Sequence, residues 1–217
     1  MRTLKKILIF VPGILTFPGA SRNWSGRAVT WTHIHTEARA EKVEYFCGPI
    51  GRAFGQKQRA EKLAATLNHY AGDWEITLVG HSNGADVILD CLSVYPYFPR
   101  ISSLHLVNAA CQASFERNGL NQLIAHNRVG EVFVYVAKKD LALRLASTVL
   151  GRRLGYGTLG LHGPRHLTGP SESRTTKILW PDWGHSDCWD DPNLDETLTN
   201  FINGRDRSPS GPLHSPS

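Results

Sequence analysis

Residues 78–86 of the chain read Leu78-Val-Gly-His-Ser-Asn-Gly-Ala-Asp86 and contain the pattern G-x-S-x-G at Gly80, Ser82 and Gly84. A short β-branched run precedes the pattern and a helical stretch follows it, so it predicts a sharp strand-to-helix turn with Ser82 at its tip. Such a turn brings strand and helix so close that the flanking positions must lack side-chain bulk, which both glycines provide. We predict that Ser82 is a nucleophile; an ordinary glycine-flanked turn is the alternative.

Short apolar runs alternate with longer amphipathic stretches along the rest of the chain, a pattern typical of buried parallel strands joined by crossover helices. Six strands are predicted, at Ile7–Val11, Val43–Cys47, Ile76–Val79, Leu104–Val107, Val132–Val136 and Lys177–Trp180. Apolar residues at helical spacing predict helices over 60–67, 85–95 and 194–202. The predicted fold is therefore α/β, an open and mostly parallel sheet of about six strands with helices on both faces.

The size and composition of the chain indicate one domain. Its 217 residues, 41% of them hydrophobic, are enough for one substantial core and too few for a second full domain. We assign the domain to residues 1–204 and expect residues 205–217, rich in Ser, Pro and Gly, to be a disordered tail. The glycine-rich residues 151–170 have little periodicity, which is typical of a lid or a mobile loop.

Charge and cysteine content limit the binding partners, metal sites and disulfides that we expect. The formal net charge of +5 comes from scattered cations and not from a basic stripe with interleaved aromatics, so we expect no nucleic-acid binding. The four cysteines, Cys47, Cys91, Cys111 and Cys188, form no C-x-x-C pair and have no histidine at zinc-finger spacing. We therefore expect neither a structural metal nor a disulfide framework, and the cysteines favour a reducing cytoplasm.

The N-terminus imitates a secretory signal peptide, because basic residues up to Lys6 precede the apolar run Ile7–Phe10 and small residues follow near Ala20. However, Pro12-Gly13 interrupts the apolar run, and the same residues suit a first core strand that enters a glycine turn. We expect this segment to remain in a cytoplasmic protein; cleavage and export are the alternative. No apolar run approaches the roughly 18 residues that span a bilayer.

The turn at Ser82, with its strand and helix, resembles the nucleophile elbow of the α/β-hydrolase family, and the resemblance extends from Ile7 to about Ile202. In that family an acid follows a late strand and a histidine follows the last strand, so that both meet the serine above the carboxyl ends of the sheet. Asp140 and His185 occupy these two places. The resemblance therefore implies a triad in which imidazole accepts the serine proton and the carboxylate orients the imidazole.

Alternatives remain for the acid and for the oxyanion hole. Asp187 and Asp182, in the loop of the histidine, are rivals of Asp140. The resemblance implies two N–H donors for the oxyanion, one from Asn83 and one from the loop after the first strand. In that loop, Val11-Pro-Gly-Ile14, we expect Ile14 to donate, with Leu15 as the alternative because the histidine that usually precedes the glycine is missing.

The two antiparallel strands that usually begin the family fold are missing, so the resemblance implies a trimmed form of that fold. We expect no cofactor. We expect a carboxylic-ester hydrolase, esterase-like or lipase-like, that acts on a small-molecule ester or acyl substrate through an acyl-enzyme. A thioesterase, amidase or acyltransferase would use the same triad, and a binding protein that kept only the fold is the non-enzymatic alternative. Four tryptophans can line the pocket or fill the core: Trp24, Trp31, Trp183 and Trp189.

Overall fold

The computed structural model describes residues 4–13, 24–45, 55–95, 97–148, 153, 156–165, 167, 170–190 and 193–203. In these residues six strands form one sheet in the order β2-β1-β3-β4-β5-β6, and all five pairings are parallel. The strands are β1 (Lys5–Val11), β2 (Arg39–Lys42), β3 (Trp74–His81), β4 (Ile101–Val107), β5 (Val129–Tyr135) and β6 (Thr176–Leu179). The predicted parallel sheet is confirmed.

Helices cover both faces of this sheet, also as predicted. They are α1 (Trp24–His35), α2 (Gln56–His69), α3 (Asn83–Val94), α4 (Leu120–Ala125), α5 (Leu141–Ala146), α6 (Leu159–His162), α7 (Pro170–Thr175) and α8 (Leu194–Asn203). One core cluster joins α2, α3 and α4 to one face of the strands, and a second joins α1 and α8 to the other. None of the described helices has the length and the apolar character needed to cross a membrane.

Strand β1 lies inside the sheet, between β2 and β3. Its apolar side chains from Ile7 to Val11 are buried and contribute to both core clusters, because successive residues of a strand point to opposite faces. A cut near residue 20 would therefore remove an interior strand from the sheet. Residues 14–23, which complete the segment that imitates a signal peptide, lie outside the described residues.

The second strand was predicted at Val43–Cys47, and this placement was wrong, since the strand begins four residues earlier and ends five residues earlier. The strand is Arg39–Lys42, and Val43 adds one more hydrogen bond from its N–H to the carbonyl of Phe10. As an edge strand it carries charged side chains, which protect an edge from pairing with other chains, so it lacks the apolar alternation that marks buried strands. The apolar residues Val43 and Tyr45 are buried as the chain leaves the strand.

Helix α1 was not predicted, because its sequence has no clear apolar stripe. Its buried face is Trp24, Ser25, Ala28 and Thr32, of which two are polar. The Thr32 hydroxyl is satisfied by donating to the carbonyl of Ala28, four residues earlier on the same helix, at 2.8 Å. Tertiary packing, mainly through Trp24 in the second core cluster, therefore stabilises a helix that periodicity alone does not reveal.

The described part of the glycine-rich segment is docked against the chain that follows β4. The Gly157 and Gly160 N–H groups donate to the carbonyls of Ala110 (2.7 Å) and Ala109 (2.8 Å). A Cβ on Gly160 would lie 2.2 Å from the Ala109 nitrogen, so the contact requires glycine there. Residues 156–165 thus lie hydrogen-bonded against the chain after β4, while residues 151, 152, 154, 155, 166, 168 and 169 of the predicted lid or mobile loop lie outside the described residues. The tail, residues 205–217, lies outside the described residues.

Three of the four cysteines, Cys91, Cys111 and Cys188, are buried and form no disulfide, and Cys47 lies outside the described residues. Burial raises the pKa of Cys91 to about 12. The buried thiol is therefore protonated at neutral pH, and a protonated thiol is a poor nucleophile.

His105 makes stability depend on pH, and we expect it to account for a loss of about 2 kcal/mol between pH 7 and pH 5. The ring is buried between Phe133 and Phe201, with its Nδ1 3.1 Å from the Tyr135 hydroxyl. Burial, helped by Lys177, lowers the pKa of His105 from 6.5 to about 3. The unfolded state binds more protons in this window, so stability falls as the pH drops from about 6.5 towards 3 and is unaffected by this group above it.

Urea unfolding of the wild type and of His105→Phe at both pH values measures this contribution. The variant keeps an aromatic ring in the stack but has no titrating group, so its free energy of unfolding should change less with pH by about 2 kcal/mol. Identical pH slopes in the two proteins would contradict the assignment.

Candidate active site

Ser82 has the strained backbone that the G-x-S-x-G pattern predicted. It separates β3 from α3 with φ 54° and ψ −122°, a region that side chains other than glycine rarely adopt. A Cβ on Gly80 would lie 2.8 Å from the Ala85 Cα, and a Cβ on Gly84 would lie 2.0 Å from the Val11 carbonyl oxygen. The two glycines are therefore required by the close crossing of β3, α3 and the end of β1.

The end of β1 brings the chain that follows it to Ser82. A Cβ added to Gly13 would lie 2.8 Å from the Ser82 Cβ and 3.3 Å from its Oγ, so main chain passes directly beside the hydroxyl. Asn83, the predicted first donor, directly follows Ser82 and begins α3. The predicted donor Ile14 and its alternative Leu15 lie outside the described residues.

Asp140 and His185, 45 residues apart in the sequence, are hydrogen-bonded through Oδ2 and Nδ1 at 2.7 Å. Asp140 follows β5 and caps the N-terminus of α5, where its other oxygen, Oδ1, accepts from the N–H of Leu143 at 2.8 Å. The carboxylate is fully buried, whereas the imidazole side chain is a quarter exposed. The pair thus combines an enclosed carboxylate with an imidazole that is accessible from solvent.

The two rival acids contact other groups. Asp182 forms an exposed ion pair with Lys139, in which Oδ1 is 2.7 Å from Nζ. Asp187 accepts the main-chain N–H of Gly184 at 2.7 Å, inside the loop that carries the histidine. Of the three candidates, the structure brings only Asp140 to the imidazole.

Sequence analysis missed two side chains that contact the main chain of His185. Neither His81, the last residue of β3, nor Asn108, just after β4, was among the predicted site residues. Both are buried, and both donate to the carbonyl oxygen of His185. A polar asparagine at the carboxyl end of a predicted strand was the available signal for Asn108, because ligands and catalytic groups gather at that edge of a parallel sheet.

The tryptophans contribute more to the core than to a pocket. Trp24 and Trp189 stack with ring centroids 3.8 Å apart, are 9% and 1% exposed, and contact the ring of His81 on the side of α1. Trp183 packs against Tyr135 and donates its indole N–H to Asn108. Of the four, Trp24 and Trp189 are therefore structural, and they enclose His81 in an apolar environment.

Comparison with known proteins gives matches in structure and none in sequence. No model of a protein family matches the chain, and no curated protein matches it significantly. A protein from Agrobacterium vitis S4, whose hydrolase assignment is provisional, shares 12% identity with a TM-score of 0.56 over 92% of this chain and 87% of its own. Mouse α/β-hydrolase domain-containing protein 10 shares 12% identity with a TM-score of 0.52 over 91% and 88%, respectively.

A third solved structure, a metagenomic carboxyl esterase, shares 16% identity with a TM-score of 0.51 over 93% of this chain and 75% of its own. At these low identities the three matches show a similar fold only. Together with the all-parallel sheet and the elbow at Ser82, they bear out the resemblance: the chain has the α/β-hydrolase fold.

Proposed function

We propose that this chain is a serine hydrolase that cleaves carboxylic esters through an acyl-enzyme intermediate. The observation that carries the proposal is the 2.7 Å bond between Asp140 and His185 at the edge of the sheet where Ser82 has its strained backbone. A carboxylate that holds the Nδ1 proton of an imidazole leaves its Nε2 to accept a proton from a serine hydroxyl. A protein that only binds ligands has no need of such a pair.

In the proposed acylation step, the Ser82 hydroxyl attacks the ester carbonyl carbon while His185 accepts its proton. The carbonyl oxygen becomes an oxyanion, which the N–H of Asn83 stabilises at the start of α3, together with the positive end of the helix dipole. We propose Ile14 as the second donor, because the Gly13 main chain before it passes beside the Ser82 Oγ.

The tetrahedral intermediate then collapses, and the bond between the carbonyl carbon and the leaving oxygen breaks. His185 returns the proton to that oxygen, so the alcohol leaves and Ser82 remains acylated. In deacylation, water gives a proton to His185 and attacks the acyl carbon. The bond between that carbon and the Ser82 Oγ then breaks, and His185 returns the proton to Oγ, which releases the acid and restores the hydroxyl. Asp140 stays ionised throughout and stabilises the imidazolium that forms in each half-reaction.

Reaction with a fluorophosphonate probe tests the mechanism. We expect the folded wild type to react at Ser82, located by mass spectrometry of the labelled peptide, because only a serine with a base and an oxyanion hole reacts readily with such probes. Nitrophenyl esters of graded acyl length, with matched thioester and amide analogues, define the bond cleaved. A protein unfolded in urea is the control and should not be labelled.

If the protein hydrolyses esters faster than the matched thioesters and amides, the result supports the proposal as stated. Preference for thioesters or amides keeps the mechanism but moves the substrate class to a thioesterase or an amidase. Absence of both labelling and turnover in the folded protein would overturn the enzyme proposal in favour of a binding protein.

A further inference from the structure

The main-chain carbonyl of His185 accepts hydrogen bonds from two side chains. His81 Nε2 lies 2.7 Å from this oxygen, and Asn108 Nδ2 lies 2.8 Å from it. Asn108 Nδ2 also lies 2.9 Å from the carbonyl oxygen of Gly184, the preceding residue. The loop that carries the candidate base is thus held by its main chain, independently of the Asp140 contact with its ring.

Both donors belong to the strand ends that carry the nucleophile. His81 is the last residue of β3 and directly precedes Ser82, and Asn108 directly follows β4. The N–H of Ser82 donates to the carbonyl of Val107, the last residue of β4, at 3.0 Å. His81 is thus adjacent in sequence to the donor of this bond, Ser82, and Asn108 is adjacent to its acceptor, Val107. The strand ends that hold Ser82 therefore also hold the main chain of His185.

His81 is suited to act as a fixed neutral donor. It is 4% exposed, with the rings of Trp24 and Trp189 each 5.6 Å away, and its ring centroid is 4.8 Å from that of His185. Burial, together with the nearby His185, lowers the pKa of His81 to about 3, so the ring is neutral at physiological pH. Because a carbonyl only accepts, Nε2 carries the hydrogen in this tautomer.

Both polar atoms of the Asn108 side chain are hydrogen-bonded. Its two Nδ2 hydrogens serve the carbonyls of Gly184 and His185, and its Oδ1 accepts the indole N–H of Trp183 at 3.2 Å. Its φ of 46° is a left-handed conformation that asparagine tolerates better than most residues. One fully buried side chain thus bonds to three successive residues of the loop that carries the candidate base.

We propose that His81 and Asn108 are positioning residues that act through the carbonyl of His185 to keep its imidazole within reach of Ser82. This inference rests on the proposed function. The proposed base is fixed at two points, its ring by Asp140 and its main chain by these two donors. Loss of either donor lets the loop move, and a displacement of about 1 Å in a reacting group can cost about 10²-fold in rate.

The test compares variants that remove the donor with variants that keep it. His81→Leu removes the ring N–H, and His81→Gln places an amide donor at similar reach. Asn108→Asp keeps the size of the side chain, and aspartate also tolerates the left-handed conformation. However, the variant places a carboxylate oxygen, which cannot donate, opposite the carbonyl oxygens of Gly184 and His185. For each variant, kcat and KM for the best ester of the panel are measured per mole of active sites titrated with the fluorophosphonate, so unfolded protein is not counted.

The chain offers a matched control for each substitution. His105→Leu removes another buried histidine whose pKa is lowered to about 3 and which takes no part in the proposed site. Asn127→Asp repeats the amide-to-acid change at another left-handed asparagine, with φ 53°, whose side chain bonds to Arg100 at the surface. Melting temperatures of all variants report purely structural losses.

We expect His81→Leu and Asn108→Asp to lower kcat by about 10²-fold with KM nearly unchanged. His81→Gln should recover at least about tenfold of that loss, and both controls should keep the wild-type kcat whatever their melting temperatures. If the wild type reacts with the probe but His81→Leu and Asn108→Asp match their controls in kcat, the positioning role is overturned and the proposed function stands. If the wild type itself does not react, the proposed function has failed and this inference fails with it.

Discussion

Ser82→Ala is expected to lower kcat for ester hydrolysis by about 10⁶-fold and to abolish fluorophosphonate labelling, because it removes the atom that would carry the acyl group. The residual rate over water would come from binding and the oxyanion hole. The measurement compares kcat and labelling of the variant with those of the wild type. Urea unfolding of both proteins shows whether the variant is folded.

Ser103→Ala is the matched control, since Ser103 is also buried, and its hydroxyl bonds to Thr77 within the sheet at 2.9 Å. It should react with the probe and turn over ester at the wild-type rate, with at most a loss of about 1 kcal/mol in stability. Turnover by Ser82→Ala within tenfold of this control would show that another residue is the nucleophile.

The backbone strain at Ser82 predicts a difference in stability between two variants that both lack the hydroxyl. The φ of 54° at this position is unfavourable for any residue with a Cβ, so alanine keeps the strain that serine has, whereas glycine relieves it. Ser82→Gly should therefore unfold at a higher urea concentration than Ser82→Ala, although both lack the nucleophile. A stable but inactive glycine variant would indicate that the wild type keeps a strained conformation to present its hydroxyl.

Local sterics explain why the elbow could be predicted from sequence. Gly80 and Gly84 flank a serine between a strand and a helix, and their requirement for missing side chains can be recognised within a few residues. The places of Asp140 and His185 were implied by the family resemblance, in which the acid follows a late strand and the histidine follows the last one at the same edge of the sheet. The structure has this arrangement, with the two side chains in contact.

The hydrogen bonds to the main chain of the His185 loop join residues that are distant in the sequence, so local sequence patterns do not reveal them. Asn108 bonds to residues 75 to 77 positions away, and His81 bonds to one 104 positions away. His81 occupies a variable position of the G-x-S-x-G pattern and Asn108 follows a predicted strand, but only the assembled sheet edge shows that both contact the carbonyl of His185. The misplaced β2 and the missed α1 have the related cause that edge strands and weakly amphipathic helices lack the apolar pattern on which the prediction relied.

Asp140→Asn should lower kcat by about 10⁴-fold, if the pair behaves like the acid and histidine of serine proteases. The N–H of Leu143 donates to Asp140 Oδ1 at 2.8 Å, and in the variant this N–H selects the amide oxygen for that position. The amide NH₂ then faces His185 Nδ1 as a donor. The imidazole must accept there and carry its hydrogen on Nε2, the tautomer that cannot take the serine proton.

Asp187→Asn and Asp182→Asn are the controls for this prediction. An asparagine in place of Asp187 can still accept the N–H of Gly184, and the ion pair of Asp182 with Lys139 is exposed and contributes little to stability. Both should retain kcat within about tenfold of the wild type. The measurement is kcat per titrated active site together with the rate of fluorophosphonate labelling. Because the amide oxygen in Asp140→Asn keeps the cap on α5, the free energy of unfolding should change little, and the loss would lie in the chemistry. Equal, mild effects at positions 140 and 187 would show that neither carboxylate orients the imidazole.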